Sequence, residues 1–539
     1  MECATAQRDS FDFVIVGGGT AGCVLANRLS ADPAASVLLL EAGGTADAPA
    51  VRMPAAFTAL FGTALDWRYR TAPQPELAGR SVAWPRMRAL GGCSAMNAMI
   101  YIRGAAADYD RWRSEFGADG WDYAAVLPYF VRAERNSTHS GPLHGTDGPQ
   151  FVEDRRYTHE LSHAWVRAAV DAGLPANADF NGAHRTGAGL YQVTCRDGRR
   201  WSAADGYLTP ALARPNLCVR TGALVTRIVL TRGRARGVTY RSDAGEERTA
   251  HADSEVILAA GAIGSAQVLL LSGVGPPAHL RSLGIEVAAA LPGVGDNLQD
   301  HPVTPLVWHT RDTTDLRLDL ATARNALTWH SSGTGPLSSN VAEAGGFLRG
   351  DGSGGPPDIQ VHLTPTAFYD IEGPRHDRPT VTAGVTLVDV RSTGRLRLRS
   401  ADPRAHPILR PGYLTDGDDL AAVLAGCRRV LGICARPAFA RYLHRPHLLD
   451  TTTPTNTQLR EHIRTHTRTL FHPVGTCAMG RHPLAVVDPS LRVHGIEGLR
   501  IADASVMPRI VRGNTNAPVQ MIAERASDLV LAEAIRSSR

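Results

Sequence analysis

No lysine occurs anywhere in this chain of 539 residues, so all 57 of its basic residues are arginine. Arginine codons are GC-rich and lysine codons are not, which reads as the mark of a high-GC bacterial genome. The arginines form no basic block, so a nucleic-acid surface is excluded, and their scatter with a net charge of only +5 predicts a solvated exterior. The eight cysteines include no CxxC pair and no metal-ligand spacing, which sets aside the flavin disulfide reductases and a zinc site. Thiols of this kind suit a cytoplasm. The opening MECATAQRDS lacks the apolar core and positive lead of a signal peptide. The most membrane-like window, VILAAGAIGSAQVLLLSGVG at 256–275, has the length of a span, but a glycine break divides it into a β-rich run and a helical run. No repeat or low-complexity tract is visible.

What is present begins with a βαβ pattern. The dense strand FDFVIVGGG (11–19) leads into AGCVLANRLSA with helical spacing, and SVLLLEAGG (36–44) follows as a second buried strand. Residues 52–155 read as irregular, rich in Gly, Pro and aromatics, as a lid or extended loop would be. A helix is expected near 159–175, short strands near 217–250, and a strand running into a helix at 255–265. VTAGVTLVDV and GRLRLRS, within 305–455, look like strands of an antiparallel sheet. The order implies a nucleotide-binding domain assembled from separated segments, with a substrate domain inserted.

Gly17, Gly19 and Gly22 form G-x-G-x-x-G between that first strand and helix. The first permits a tight turn, the second lets backbone amides approach a pyrophosphate, and the third lets helix and strand pack closely. Free N–H groups at the helix start favour the phosphates. Glu41 ends the second strand where a carboxylate accepts from ribose hydroxyls, and its charge speaks against a 2′-phosphate. That leaves NAD or FAD, with the long insertions and the C-terminal return favouring FAD.

The ordered set FDFVIVGGGTAGCVLANRLS, DWRYRTAPQ, RALGGCSAMNAMIYIRG, AAGAIGSAQVLLLSGVGP, GVGDNLQDHP, HPVGTCAMG and IADASVMP, spread from residue 11 to about 532, resembles the glucose–methanol–choline (GMC) flavoprotein oxidoreductases. The resemblance implies an α/β fold in which an FAD-binding Rossmann-like domain carries an inserted α+β substrate domain built on an antiparallel sheet. The implied segments are 1–155 (FAD-binding, with lid), 156–215 (substrate domain), 216–304 (FAD-binding), 305–460 (substrate domain) and 461–539 (FAD-binding, with the catalytic residues). It also implies that Gly91, Gly92 and Asn97 lie along the flavin and that Trp67 lies near the nucleotide half. Val225 would read adenine through its backbone, and Asp503 and Ala504 would flank the ribityl and phosphate region. Met96 stands where covalent-flavin members carry histidine, so FAD is expected without a covalent link. Cys93 and Ala266 are smaller departures, from serine and proline.

FHPVGTCAMG (471–480) by itself admits a metal ligand, a Cys477/His nucleophile pair, a packed loop or a general base. No further zinc ligands lie nearby and no orienting group for a thiolate is suggested. The resemblance makes His472 the catalytic base, since a neutral imidazole takes an alcohol proton at physiological pH as hydride leaves for flavin N5. Asn516 matches the family's second active-site position, at the start of a helix in which Pro518 sits well. Glu343 matches the position where choline-handling members set a carboxylate against a cationic substrate. The expected reaction is oxidation of a primary alcohol to the aldehyde, on an amine-bearing or sugar alcohol such as the paromamine-like 6′-hydroxyl of an aminoglycoside intermediate. Oxygen or another acceptor would take the electrons, and no metal, nucleic acid or membrane is involved. A choline or small-alcohol dehydrogenase, a hydroxynitrile lyase with structural FAD and an NAD-dependent dehydrogenase are the alternatives.

Overall fold

In the computed structural model, residues 9–311, 313, 315–316, 322–368 and 378–537 are described. Two seven-stranded sheets carry the fold. The first is built on strands whose apolar residues run unbroken because both faces are covered. Phe13–Val16 pairs in parallel with Val37–Leu40 on one side and with the end of Glu247–Leu258 on the other. Leu217–Arg220 extends the sheet beyond Val37–Leu40, and Leu499–Ile501 adds to Val256–Leu258, both in parallel. Arg234–Ser242 and Ala223–Thr231 complete it as an antiparallel pair.

The second sheet is antiparallel throughout, in the order Leu443–Pro446, Pro302–Thr310, Thr380–Leu387, Ile359–Thr364, Ala344–Leu348 and Gly187–Leu190. Strand alternation gives it two faces. Ile359 and Val385 meet Gly426 of the helix Gly417–Cys434 on one face. Val303, Pro305, His362, Thr364, Thr382 and Gly384, alternate residues of three neighbouring strands, line a cavity on the other.

Three expectations need correction. Residues 52–155 are not simply irregular, because they hold the helices Ala106–Phe116 and Tyr123–Ala133. Tyr109 with Trp112, and Val126 with Phe130, are buried pairs at helical spacing, so the period was present but obscured by the surrounding glycines. Gly394–Arg397 does not join the second sheet; it pairs with Ile408–Arg410 and Asp296–Leu298 in a separate sheet. Its partly exposed arginines do not suit a strand buried on both faces. Finally, the arginines are not all a solvated exterior, since Arg103, Arg200, Arg500 and Arg512 are buried. The strand Arg468–Thr469, inside the expected 461–539 segment, pairs with Pro302 and Val303 of the second sheet. The 256–275 window is the end of a strand and the helix Gly261–Leu271, and no described helix is long and apolar enough to cross a membrane.

Candidate active site

One cavity of about 330 Å³ runs between the two sheets. At its first end the glycine loop is as tight as its sequence demands. Gly17 has φ of 103°, where a Cβ would sit 2.7 Å from the Ala259 carbonyl oxygen. A Cβ on Gly22 would lie 1.8 Å from the Gly17 carbonyl oxygen, so strand and helix touch backbone to backbone. Glu41 accepts from the Gly18 and Gly43 N–H groups, each at 2.8 Å. Burial raises its carboxyl above the usual range, against the pull of those two N–H groups and of Arg88. Gly91 donates its N–H to the Gly18 carbonyl at 2.8 Å, and a Cβ on Gly92 would lie 2.6 Å from Gly19 Cα. The 91–98 segment is thereby fastened to the glycine loop. Asp503 accepts from the Gly261 N–H (2.8 Å) and Ser265 hydroxyl (2.6 Å), docking the start of the helix Gly261–Leu271 against the cavity. Trp67 stacks on Tyr69 with Arg88 over its ring.

At the other end stands His472. Phe471 holds the left-handed φ of 68°, uncommon for a bulky residue, with its N–H on the Thr469 hydroxyl at 2.6 Å. The turn continues through Gly475, whose φ is 90° and whose Cβ would meet the Asn297 carbonyl oxygen at 2.4 Å. Asp300 accepts the His472 N–H at 2.7 Å through one oxygen, and the Thr469 and Tyr413 hydroxyls through the other. His301, next in the chain and fully buried, meets the ring: its Nδ1 lies 3.0 Å from His472 Nδ1. Two neutral imidazoles in that contact share one proton. Which ring donates depends on the tautomer: where His301 Nδ1 accepts, His472 Nδ1–H donates and His472 Nε2 keeps a lone pair. Burial, then the neighbouring His301, His362 and Arg86, hold the His472 imidazole well below its ordinary pKa and so neutral. Cys477 is fully buried and its thiol is pushed up by that burial, so no thiolate pairs with the histidine.

Asn516 is the first residue of the helix Asn516–Ser537, and its Oδ1 accepts from the Thr20 hydroxyl at 2.9 Å, which leaves the amide Nδ2 for the cavity. Asn97 is fixed likewise: its Oδ1 accepts from the Met99 N–H (3.0 Å) and from Arg200 (2.8 Å).

Gly17, Gly19, Glu41, Trp67, Gly92, Asn97, Val225, His472, Asp503, Ala504 and Asn516 therefore line one cavity. Gly22 and Gly91 stand behind the wall as close-packing residues. Glu343 does not reach the cavity. Its carboxylate is fully buried and accepts from the Ser162 hydroxyl (2.6 Å), the Ser339 hydroxyl (2.6 Å) and the His159 N–H (2.8 Å). The expectation of a cation-binding acid is corrected accordingly: two donors from the helix Glu160–Asp171 and its cap, with Ser339 from the adjoining turn, occupy the carboxylate. Sequence reasoning missed Asp300, His301 and Tyr413; the first two lay within GVGDNLQDHP, where nothing marks a contact made 171 residues further on.

A glycine loop without side chains, a helix start for phosphates, a carboxylate at the ribose position and a long cleft ending at a neutral histidine together fit FAD, and define a dinucleotide-dependent oxidoreductase. Residues 11–303 and 390–523 match the two family profiles described as GMC oxidoreductase, and the chain belongs to that family. It is 40% identical over 533 residues to an alcohol dehydrogenase [acceptor] of Pseudomonas putida, covering 97% of this chain and 96% of that protein. It is 40% identical to the mitochondrial choline dehydrogenase of Mus musculus, covering 98% and 90%. Among solved structures it superposes on pyridoxine 4-oxidase from Mesorbium loti with a TM-score of 0.89 at 31% identity, covering 96% and 98%. The protein is thus an FAD-dependent oxidoreductase of the GMC family with a second, substrate-binding domain, and FAD rather than NAD is its cofactor.

Proposed function

We propose that this enzyme oxidises an uncharged primary alcohol with an apolar or aromatic body to the aldehyde, with His472 as the base. FAD, when bound, supplies the hydride acceptor. His472 Nε2 takes the hydroxyl proton, His301 holds the ring in the tautomer that permits this, and Asn516 Nδ2 donates to the alcohol oxygen. The amides at the start of the helix Asn516–Ser537 favour negative charge nearby.

The substrate class rests on the lining. Phe57, Phe61, Phe368 and Phe471 form a chain of ring contacts at 5.6–6.0 Å, leading to the residue before His472. Leu470, Val303 and Val341 complete the apolar wall, with Arg86 and Arg468 the charged residues beside it. The only acids in the described lining are Glu41 and Asp503, both at the cofactor loops. A cationic alcohol would meet arginine without a compensating carboxylate. The aminoglycoside reading rested on the lysine-free, high-GC character of the chain together with Glu343 as a cation site, and of these Glu343 is engaged elsewhere. A choline reading keeps the support of the choline dehydrogenase relatives alone. Met96 lines the cavity, stands where covalent-flavin members of the family carry histidine, and offers no nucleophilic nitrogen, so FAD is held without a covalent link.

The test is an anaerobic spectrum of the yellow protein mixed in turn with benzyl alcohol, hexanol, choline and paromamine. Bleaching by the first two is expected, and acid precipitation should leave the colour in the supernatant. Bleaching by choline or paromamine alone would overturn the substrate class, and colour retained on the precipitate would overturn the non-covalent reading.

A further inference from the structure

Arg200 is the exception among the buried arginines. Arg103, Arg500 and Arg512 are each paired with carboxylates. Arg200 is only 1% exposed, and its partners are neutral oxygens: the Val51 carbonyl (2.7 Å), the Ser94 carbonyl (3.1 Å) and Asn97 Oδ1 (2.8 Å). Its Nη2 has no hydrogen-bond partner among the described residues. No carboxylate lies within ion-pair distance among the described residues. Asp205, the acid whose field reaches it, accepts from Ser202 at 2.6 Å and 2.9 Å and lies 3.8 Å from Arg52. Burial pulls the guanidinium down only to about 10, so it is charged at neutral pH. A buried cation without a counter-charge is costly to the fold, and its retention calls for an offsetting role.

Its position suggests what offsets that cost. Arg200 lies directly behind the 91–98 segment, whose Cys93, Met96, Asn97 and Ala98 line the cavity. We propose that Arg200 is a fixed cation that biases the cofactor site toward the reduced, anionic flavin and, through Asn97, holds an amide donor facing it. The charge balance of the reaction calls for such a group. RCH₂OH, FAD and neutral His472 become RCHO, FADH⁻ and protonated His472, so the proton stays on the histidine and one negative charge appears on the flavin. A cation one layer away stabilises that product over the uncharged oxidised ring, in a medium where water does not screen it. The inference rests on the assignment of the cavity to FAD and is independent of which alcohol is oxidised.

The experiment measures the midpoint potential of the bound flavin against a reference dye, without any alcohol, in the wild-type holoprotein and in Arg200→Met and Arg200→Lys. Arg200→Met should weaken the hold on reduced relative to oxidised FAD by about tenfold or more, a fall of about 30 mV for the two-electron couple. Arg200→Lys keeps the charge and should retain most of the wild-type potential. An unchanged potential in Arg200→Met overturns the proposal. Equal falls in both variants overturn it in favour of a purely geometric effect through Asn97. If neither variant holds FAD after reconstitution, Arg200 is a folding residue and the proposal fails.

Discussion

Replacing His301 by alanine isolates the contact that, in the mechanism proposed above, sets the His472 tautomer. The 3.0 Å bond between the two Nδ1 atoms is the only side-chain hydrogen bond to the His472 ring among the described residues. A neutral hydrogen bond of this kind contributes about 1 kcal/mol net. Its loss lets the proton move to Nε2, the nitrogen that must be free, and lets the ring turn. About 1 kcal/mol is about fivefold in rate, so His301→Ala should lower the limiting rate of flavin reduction about five- to tenfold. The Asp300 contact to the His472 N–H is untouched, so the backbone should stay in place. The assay is anaerobic stopped-flow bleaching with a saturating alcohol, and His301→Gln, which can accept through its carbonyl, should recover most of the rate. A reduction rate unaltered in His301→Ala would refute the tautomer argument. A loss as large as that of the His472 variant would refute it differently, by making His301 itself the base.

Three shorter predictions complete the set. His472→Ala should keep its yellow FAD while flavin reduction falls on the order of 10²-fold or more; reduction at the parent rate would remove His472 from the chemistry. Glu343→Ala should leave three buried donors unmatched and cost about 3 kcal/mol of stability, read by urea unfolding, while KM for an uncharged alcohol stays the same; a selective rise in KM for cationic alcohols would restore Glu343 to the substrate site. His301 and His362 are buried neutral, each pushed down to about 3 chiefly by burial. The unfolded chain binds their protons near pH 6.5, so their contribution is intact above that pH and is lost as pH falls from about 6.5 toward 3, by about 2 kcal/mol per histidine at pH 5. A urea midpoint that does not move between pH 7 and 5 would contradict this.

How far the sequence could be read depended on whether the informative contact was local. FDFVIVGGG and SVLLLEAGG announce buried strands because an unbroken apolar run is itself a local signal and the two pair with each other, and the glycine spacing follows from one tight turn. The cleft-facing alternation of Val303, Pro305, His362, Thr364, Thr382 and Gly384 was invisible, since it needs three strands in register. His301 escaped notice for the same reason, although it lay inside a quoted motif. Glu343 went wrong because a strand-end carboxylate can face a pocket or a packed helix, and only the docking of Glu160–Asp171 decides between them. Arg200 was hidden by composition: in a chain whose every basic residue is arginine, one buried cation does not stand out among exposed ones.

The bond from Thr20 to Asn516, with the Arg28–Glu524 ion pair beside it, ties the first helix of the fold to its last. The cleft therefore remains open along one side until the helix Asn516–Ser537 has been made and has docked. During synthesis, strands and helices from Ser10 onward would emerge and pair well before the dinucleotide had a complete seat. Cofactor capture then depends on that docking, and a bound FAD stabilises the docked state by mass action against the helix peeling away.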